Sequence, residues 1–221
     1  PLSPTQVGTH PRLTYRTTMG QYHSRRGSTP LAGGKVSTFG EFVGSRPYPL
    51  AMPLATYPGA RLVGCSITDM VTQARVQHAA SAAVQDSLAT AVSLTAMDLS
   101  VEAEAFGAQI RMERDELPTV LGRSVSSARE IDDLVVPSVG AGRTSVPLGV
   151  ASAFAASGAP LVLGGLIGPF SLAGRLFGVT ESLELTIDDP AATRALLDKV
   201  TQFLCLYASA FRDAGAHCVL M

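Results

Sequence analysis

The sequence has 221 residues, of which 46% are apolar and 16% are charged, and its formal net charge is −1. This length suits one domain or slightly more, and the apolar content argues against disorder of the whole chain. The net charge gives no reason to expect nucleic acid as a partner. Three scattered cysteines are too few for a disulfide framework, so we expect a reducing, cytoplasmic setting.

The first 48 residues differ in composition from the rest. They hold six basic residues against a single acid, Glu41, and they are rich in Ser, Thr, Gly and Pro without a sustained apolar period. Such a segment buries too little apolar surface to offset the entropy of ordering it. It also lacks the apolar centre of a secretory signal. We therefore predict a basic leader over 1–48, disordered or not native to the protein, followed by a folded domain over 49–221.

From residue 49 onward, short apolar runs alternate with helical patterns, which is typical of a parallel sheet with helices between its strands. The predicted elements, in chain order, are an apolar run at 49–54, a helix from Ser66 or Thr68 to about Val84, a buried strand at 91–97, a small hairpin at 109–112 and 119–121, a short helix at 127–134, a helix at 146–157, a strand at 161–167, helices at 169–177 and 181–186, a long helix from Pro190 that closes at Gly215, and a last strand at 217–221.

These elements predict an α/β fold. About four βα units are visible, where a closed (β/α)8 TIM barrel has eight. We therefore predict the N-terminal half of such a barrel, with an unpaired edge at its last strand. The uncharged stretch between Arg143 and Arg175 is broken by Pro and Gly, so we do not expect it to span a membrane.

The most informative acid is Asp98, because it directly follows the strand at 91–97, where parallel α/β proteins place their chemistry. It is either a catalytic group or a cap of the helix that follows. Glu102 and Glu104 are two positions apart on that helix and cannot face the same way. We expect one of them beside Asp98 and the other in solvent. Arg143 lies in a glycine-rich stretch, 139–145, that allows close approach of backbone to a ligand.

Three motifs carry a resemblance to a known family. They are MDLSVEAEAFGA at 97–108, YPG at 57–59 and IGPFSLAGRLFG at 167–178. Together they resemble the uroporphyrinogen decarboxylase superfamily, from about residue 49 to 221. The resemblance implies a (β/α)8 barrel. It implies one of two activities: porphyrinogen decarboxylation in haem biosynthesis, or methyl transfer as in the corrinoid-dependent, methylcobamide:coenzyme M type of enzyme.

The residues favour the methyltransferase branch. Decarboxylases of this family carry an Arg-Gln-Ala-Gly-Arg-Tyr motif that is missing from the comparable region, 51–61, and Arg175 stands where they have a tyrosine. A substrate with many carboxylates needs several fixed guanidinium groups. The run Val-Glu-Ala-Glu-Ala is typical of the methyltransferases. The resemblance implies Asp98 as the catalytic residue and the following substrate-binding residues: Tyr57, Glu102, Glu104, Arg143, Phe170 and Arg175.

The methyltransferase branch implies a zinc-activated thiol that takes a methyl group from a corrinoid protein. We assign no metal ligand, because the family's His-x-Cys pair and its distant cysteine cannot be placed on this chain. His217 and Cys218 point to opposite faces of a strand, Cys205 is expected in the core, and Cys65 in a loop.

The predicted function is thus corrinoid-dependent methyl transfer to a thiol. The alternatives are uroporphyrinogen decarboxylase and a catalytically incomplete binding fragment. We expect a small-molecule substrate and a corrinoid protein as partners, neither nucleic acid nor membrane, and no activity from these 221 residues alone.

Overall fold

A computed structural model of the protein describes residues 38–46 and 52–221. The predicted leader lies outside the described residues, except for 38–46. There the Thr38 hydroxyl accepts a hydrogen bond from the Glu41 amide (3.2 Å) and begins the first helix, α1 (Phe39–Gly44), in which Phe42 is fully buried. Residues 38–46 are thus described with a short helix, and the division at residue 48 stays a prediction.

The remaining elements alternate between helices and short strands. In chain order they are α2 (Pro58–Val63), α3 (Ile67–Thr72), α4 (Ala74–Leu88), β1 (Val92–Leu94), α5 (Val101–Ala105), β2 (Gln109–Arg111), β3 (Thr119–Leu121), α6 (Ala128–Asp133), α7 (Ser145–Ala156), β4 (Leu161–Gly165), α8 (Pro169–Phe177), α9 (Val179–Asp188), α10 (Pro190–Asp213) and β5 (Cys218–Leu220). No helix among the described residues is both long enough and apolar enough to cross a membrane.

The local sequence signals explain several of these boundaries. The Ser66 hydroxyl accepts from the Asp69 amide (3.0 Å) and begins α3 as predicted, but Gln73 takes an extended backbone and divides the single predicted helix into α3 and α4. The Asp189 carboxylate begins α10 by accepting from an amide of its first turn (2.9 Å). Gly215 (φ +93°) follows the end of this helix, in a conformation that favours glycine.

The sheet is parallel and has the order β1-β4-β5 among the described residues. Val92 pairs with Leu161, and Leu163 pairs with Cys218. The described residues therefore contain three parallel strands, where about four βα units were predicted. The first expected strand falls partly outside the described residues, and residues 52–54, which are described, form no strand. The predicted small hairpin is confirmed, since β2 and β3 pair in antiparallel fashion.

Each face of the sheet packs against different elements. Leu94, Leu161 and Leu163 point to the side on which Phe42 of α1 is buried. Val162, between two of these leucines, points to the other side, which the larger helices cover. The bare backbone of Gly164 is needed on that side, because a Cβ there would overlap the Phe211 ring of α10. The chain thus has an α/β fold with a separate apolar cluster on each side of the sheet.

One core assignment from the sequence is wrong. Cys205 lies within α10 among apolar neighbours in sequence, but its side chain is exposed. The buried face of α10 is formed by Leu196, Val200, Phe203, Leu204, Tyr207 and Phe211. Cys205 falls on the opposite side because a helix turns by 100° per residue.

Candidate functional site

The candidate site lies where β1 and β4 end and is built around one buried arginine. Arg143 comes from the loop before α7, and its guanidinium reaches the segment that follows β1. Nη1 donates to Asp98 Oδ2, Nε donates to Glu104 Oε2 (2.6 Å), and Nη2 donates to Ser100 Oγ (2.8 Å). All three nitrogens of the guanidinium therefore have partners on the same segment, 98–104.

The Asp98 carboxylate is fully engaged. Its Oδ2 accepts from Arg143, while its Oδ1 accepts both from the Ser100 amide (3.0 Å) and from the Ser100 hydroxyl (2.6 Å). Only 3% of the Asp98 side chain is exposed, against 9% for Arg143 and 25% for Glu104. Burial by itself would lower the pKa of Arg143, but the Asp98 and Glu104 carboxylates outweigh it and raise that pKa.

The loop that carries Arg143 is fixed on both sides. Gly142 has a positive φ, and a Cβ at this position would come within 3.1 Å of the Glu104 side chain, so glycine permits the close approach of the loop to α5. The Gly140 amide donates to the Thr144 hydroxyl (2.9 Å), and the Tyr207 hydroxyl of α10 donates to the Thr144 carbonyl (3.1 Å). The glycine-rich stretch thus brings backbone against α5 and holds the guanidinium in place.

Glu102 points away from this cluster and into the protein. Its side chain is buried, and Oε1 accepts from the Ile167 amide just after β4 (3.0 Å), whereas Oε2 has no hydrogen-bond partner among the described residues. Burial raises the pKa of Glu102 to about 7, against the opposing effect of the Ile167 hydrogen bond. The expectation that one of the two glutamates would be solvated is therefore wrong, because Glu102 is enclosed and Glu104 is bound to Arg143.

The raised pKa of Glu102 makes the stability of the folded protein depend on pH. The folded protein binds the Glu102 proton more tightly than the unfolded chain does, whose pKa is near 4.5. The neutral carboxyl therefore favours the folded state at low pH. This contribution is lost progressively as the pH rises from about 4.5 through about 7, because the folded protein must then hold a buried carboxylate.

A cleft of about 250 Å³ opens beside Asp98. Its lining includes Tyr57, Asp98 and Arg175, with apolar side chains such as Leu99 and Leu117. The Tyr57 hydroxyl donates to the Met97 carbonyl (3.4 Å), and burial together with the nearby Asp98 carboxylate raises the pKa of Tyr57. The tyrosine therefore enters the site as a neutral hydrogen-bonding group.

The structure brings together only some of the residues predicted for the site. Asp98, Glu104 and Arg143 meet in the buried cluster, and Tyr57, Asp98 and Arg175 line the cleft. Phe170, on the first turn of α8, is 40% exposed and does not line it, and neither does Glu102. The catalytic role predicted for Asp98 and the substrate-binding roles predicted for the other residues stay predictions.

Two residues of the site were missed by the sequence reasoning. Ser100 accepts from Arg143 and donates to Asp98, and its place two residues after Asp98 is a signal that could have found it. Tyr207 supports the Arg143 loop from α10. Its position on the buried face of a long helix gave no polar signal.

The described residues do not fit a zinc ion. Among them, no group of three or more His, Cys, Asp or Glu side chains is placed to hold a metal. His217 uses Nδ1 to accept from the Val162 amide (3.0 Å), and the neighbouring Cys218 is half-buried, which raises the pKa of its thiol.

Comparison with known proteins gives consistent results. The family model for Uroporphyrinogen decarboxylase (URO-D) matches residues 50–221. A methylated-thiol--coenzyme M methyltransferase of Methanosarcina mazei is 27% identical over 128 residues, which are 56% of this chain and 34% of that protein. A solved structure of a methyltransferase from Methanosarcina mazei is similar in fold, with a TM-score of 0.67 at 22% identity, covering 73% of this chain and 49% of the other. The chain thus spans about a third to a half of the length of these relatives.

Proposed function

The chain belongs to the uroporphyrinogen decarboxylase family, and we propose that it serves methyl transfer to a thiol and not decarboxylation of a porphyrinogen. Its similarity to a methyltransferase in sequence and in fold supports a methyltransferase-type member. The observation that carries the choice between the two branches is the engagement of the Asp98 carboxylate by Arg143 and Ser100.

The resemblance to the decarboxylases implies that the aspartate at this position holds the pyrrole N–H groups of the substrate, and for that role Asp98 would need free acceptor positions. Here Oδ2 is bound to Arg143, and Oδ1 accepts two hydrogen bonds from Ser100. Breaking the Arg143 contact to admit a pyrrole would leave a buried guanidinium with one partner fewer, which is unfavourable in a poorly solvated site. Asp98 therefore serves better as a rigid wall of the cleft than as a substrate ligand.

The charges around the cleft support the same choice. A porphyrinogen with many carboxylates requires several free guanidinium groups. In the described part of the chain, all three nitrogens of Arg143 already donate to Asp98, Glu104 and Ser100. Arg175 is therefore the arginine of the cleft lining whose guanidinium can still bind an anionic group. A cleft with one cation and an apolar lining suits a small ligand with one acidic group better than a porphyrinogen with many carboxylates.

The finer parts of this proposal concern the whole protein. We propose that β1, β4 and β5 with their helices are the first half of a (β/α)8 barrel, and that the acceptor thiol is activated by zinc and methylated from a corrinoid protein. These follow from the family resemblance. Within the described residues, the parts assigned to function are the cleft, its Arg175 cation and the Arg143 cluster that fixes its wall.

The test is an assay for transfer of a deuterated methyl group. The 221-residue chain, and a polypeptide of the length of its relatives that contains it, are incubated with a small thiol and either a methylated thiol or a methylated cobamide as donor. Mass spectrometry detects the labelled thioether, and a parallel reaction with uroporphyrinogen is followed by release of CO2. We expect transfer in the longer polypeptide, none in the 221-residue chain, and no release of CO2.

Variants of the longer polypeptide connect the activity to the cluster. Because displacement of the cleft wall by about 1 Å can lower a rate about 100-fold, we expect a loss of this order in Asp98→Asn, and none in the matched control Asp188→Asn, whose carboxyl is exposed. Release of CO2 without methyl transfer would refute the proposal in favour of the decarboxylase. The absence of both activities would leave a binding role and would equally contradict it.

A further inference from the structure

One charged side chain in the cleft has no partner in the part of the chain that the structure describes. Arg175 lies in the last turn of α8, half-buried, and lines the cleft beside Asp98. Among the described residues it forms neither a hydrogen bond nor an ion pair. Arg143, in contrast, donates from all three of its nitrogens to protein acceptors. Of the two arginines near Asp98, Arg143 thus has all its nitrogens hydrogen-bonded to the protein, whereas the donors of Arg175 are free to bind a ligand.

The Arg175 guanidinium is only half-buried, so water reaches its donors, but the described part of the chain offers it no acceptor and its donors are available to a ligand. The nearby Asp98 carboxylate does not supply an acceptor, because Arg143 and Ser100 occupy both of its oxygens. Arg143 also offsets part of the negative charge of Asp98 and Glu104, which weakens the repulsion of an incoming anion. Arg175 is thus placed to bind an acidic group that enters from solvent.

The rest of the lining limits what that ligand is. Met97, Leu99, Leu117 and Pro118 contribute apolar surface, and the Leu99 and Leu117 side chains are 44% and 55% exposed. A volume of about 250 Å³ is below the usual ~300–1,000 Å³ of sites for drug-sized ligands. The cleft therefore suits a molecule with one acidic end and a short apolar body.

We infer that Arg175 forms an anion-binding site that takes a carboxylate, sulfonate or phosphate group of a small ligand. These groups share planar or tetrahedral oxygen pairs that a guanidinium binds through two parallel hydrogen bonds. Identification of this ligand as the thiol substrate rests on the proposed function, whereas the anion site itself does not.

Binding is measured on the 221-residue chain by NMR titration of the Arg175 side-chain Nε–H. The probes are acetate, methanesulfonate and methyl phosphate, which separate the three acidic groups, and dimethyl sulfone is the neutral control. We expect saturable binding of at least one anion and about tenfold or greater weakening in Arg175→Gln, as loss of a charged hydrogen-bond donor predicts. The matched control is Arg194→Gln, which removes an exposed arginine of α10 and is expected to leave the binding unchanged.

A second measurement covers the case in which Arg175→Gln does not fold. Phenylglyoxal, which modifies accessible arginines, should react with Arg175 before Arg143 in the unaltered chain, and the bound anion should slow that reaction. Absence of anion binding, equal binding of dimethyl sulfone, unchanged affinity in Arg175→Gln, or no protection from phenylglyoxal would each overturn the inference.

The two proposals fail in different ways. Anion binding at Arg175 without any methyl transfer in the longer polypeptide would contradict the proposed function alone. Methyl transfer in the longer polypeptide without anion binding at Arg175 would contradict the anion site alone. A KM for the thiol that is unaltered by Arg175→Gln would contradict only the identification of the bound anion as the thiol substrate.

Discussion

Replacement of Arg143 by methionine tests the central feature of the site. Methionine keeps much of the length of the side chain but removes every donor. Asp98, with 3% of its side chain exposed, and Glu104, with 25%, then lose their cation together. The variant therefore leaves an uncompensated negative charge in a place that water hardly reaches.

The magnitude follows from burial. Removal of one partner of a buried ion pair costs about 3–5 kcal/mol, because the remaining charge is left unpaired. That is a large part of the ~5–15 kcal/mol by which a domain is stable. The same replacement at Arg129, whose ion pair with Asp133 is 4.0 Å long and whose side chain is 93% exposed, should change stability by less than about 0.5 kcal/mol.

The free energy of unfolding is measured by urea denaturation of Arg143→Met, Asp98→Asn and the double variant. We expect the double variant to be more stable than Arg143→Met by about 1–2 kcal/mol, since it no longer buries the unpaired Asp98 charge. A loss below about 1 kcal/mol in Arg143→Met, or a double variant no more stable than this single one, would refute the buried ion pair.

Two further predictions concern the surroundings of this cluster. Because ionisation of Glu102 opposes folding, Glu102→Gln should abolish a fall in stability of up to about 3 kcal/mol between about pH 4.5 and pH 8, measured by urea denaturation at several pH values. The exposed control Glu184→Gln should retain that fall, and an identical pH profile in both variants would contradict the burial of Glu102. Tyr207→Phe leaves the buried Thr144 carbonyl without its donor and should lower the free energy of unfolding by about 1–3 kcal/mol. An unaltered stability of Tyr207→Phe would show that the hydroxyl does not hold the Arg143 loop.

The elements that were predicted correctly are those with a local signal. Asp189 and Pro190 mark the beginning of α10, and its apolar period marks the buried face. Asp98 was located because the end of a buried strand can be read along the chain. The break at Gln73 was missed, since no proline or glycine marks it. Cys205 was misplaced because residues adjacent in sequence do not share a helix face.

The parts of the site that were not predicted are tertiary. Arg143 pairs with Asp98 across 45 residues, and no spacing rule connects a glycine-rich loop to that particular acid. The inward turn of Glu102 depends on the amide of Ile167, which β4 brings to it. Burial and partner choice of this kind appear only after the chain has folded. The sequence could therefore nominate the charged groups but not say which of them are already paired.

The pairing of the sheet has a consequence for the order in which the chain folds. Val92 meets Leu161, and Leu163 meets Cys218, across roughly 70 and 55 residues. Such distant pairings raise the contact order, so the helices between the strands can form well before the sheet. Until the strands meet, the face that contains Leu94 and Leu163 is open to water and to other chains. We therefore expect that slower closure of this sheet would increase aggregation of the newly synthesised protein.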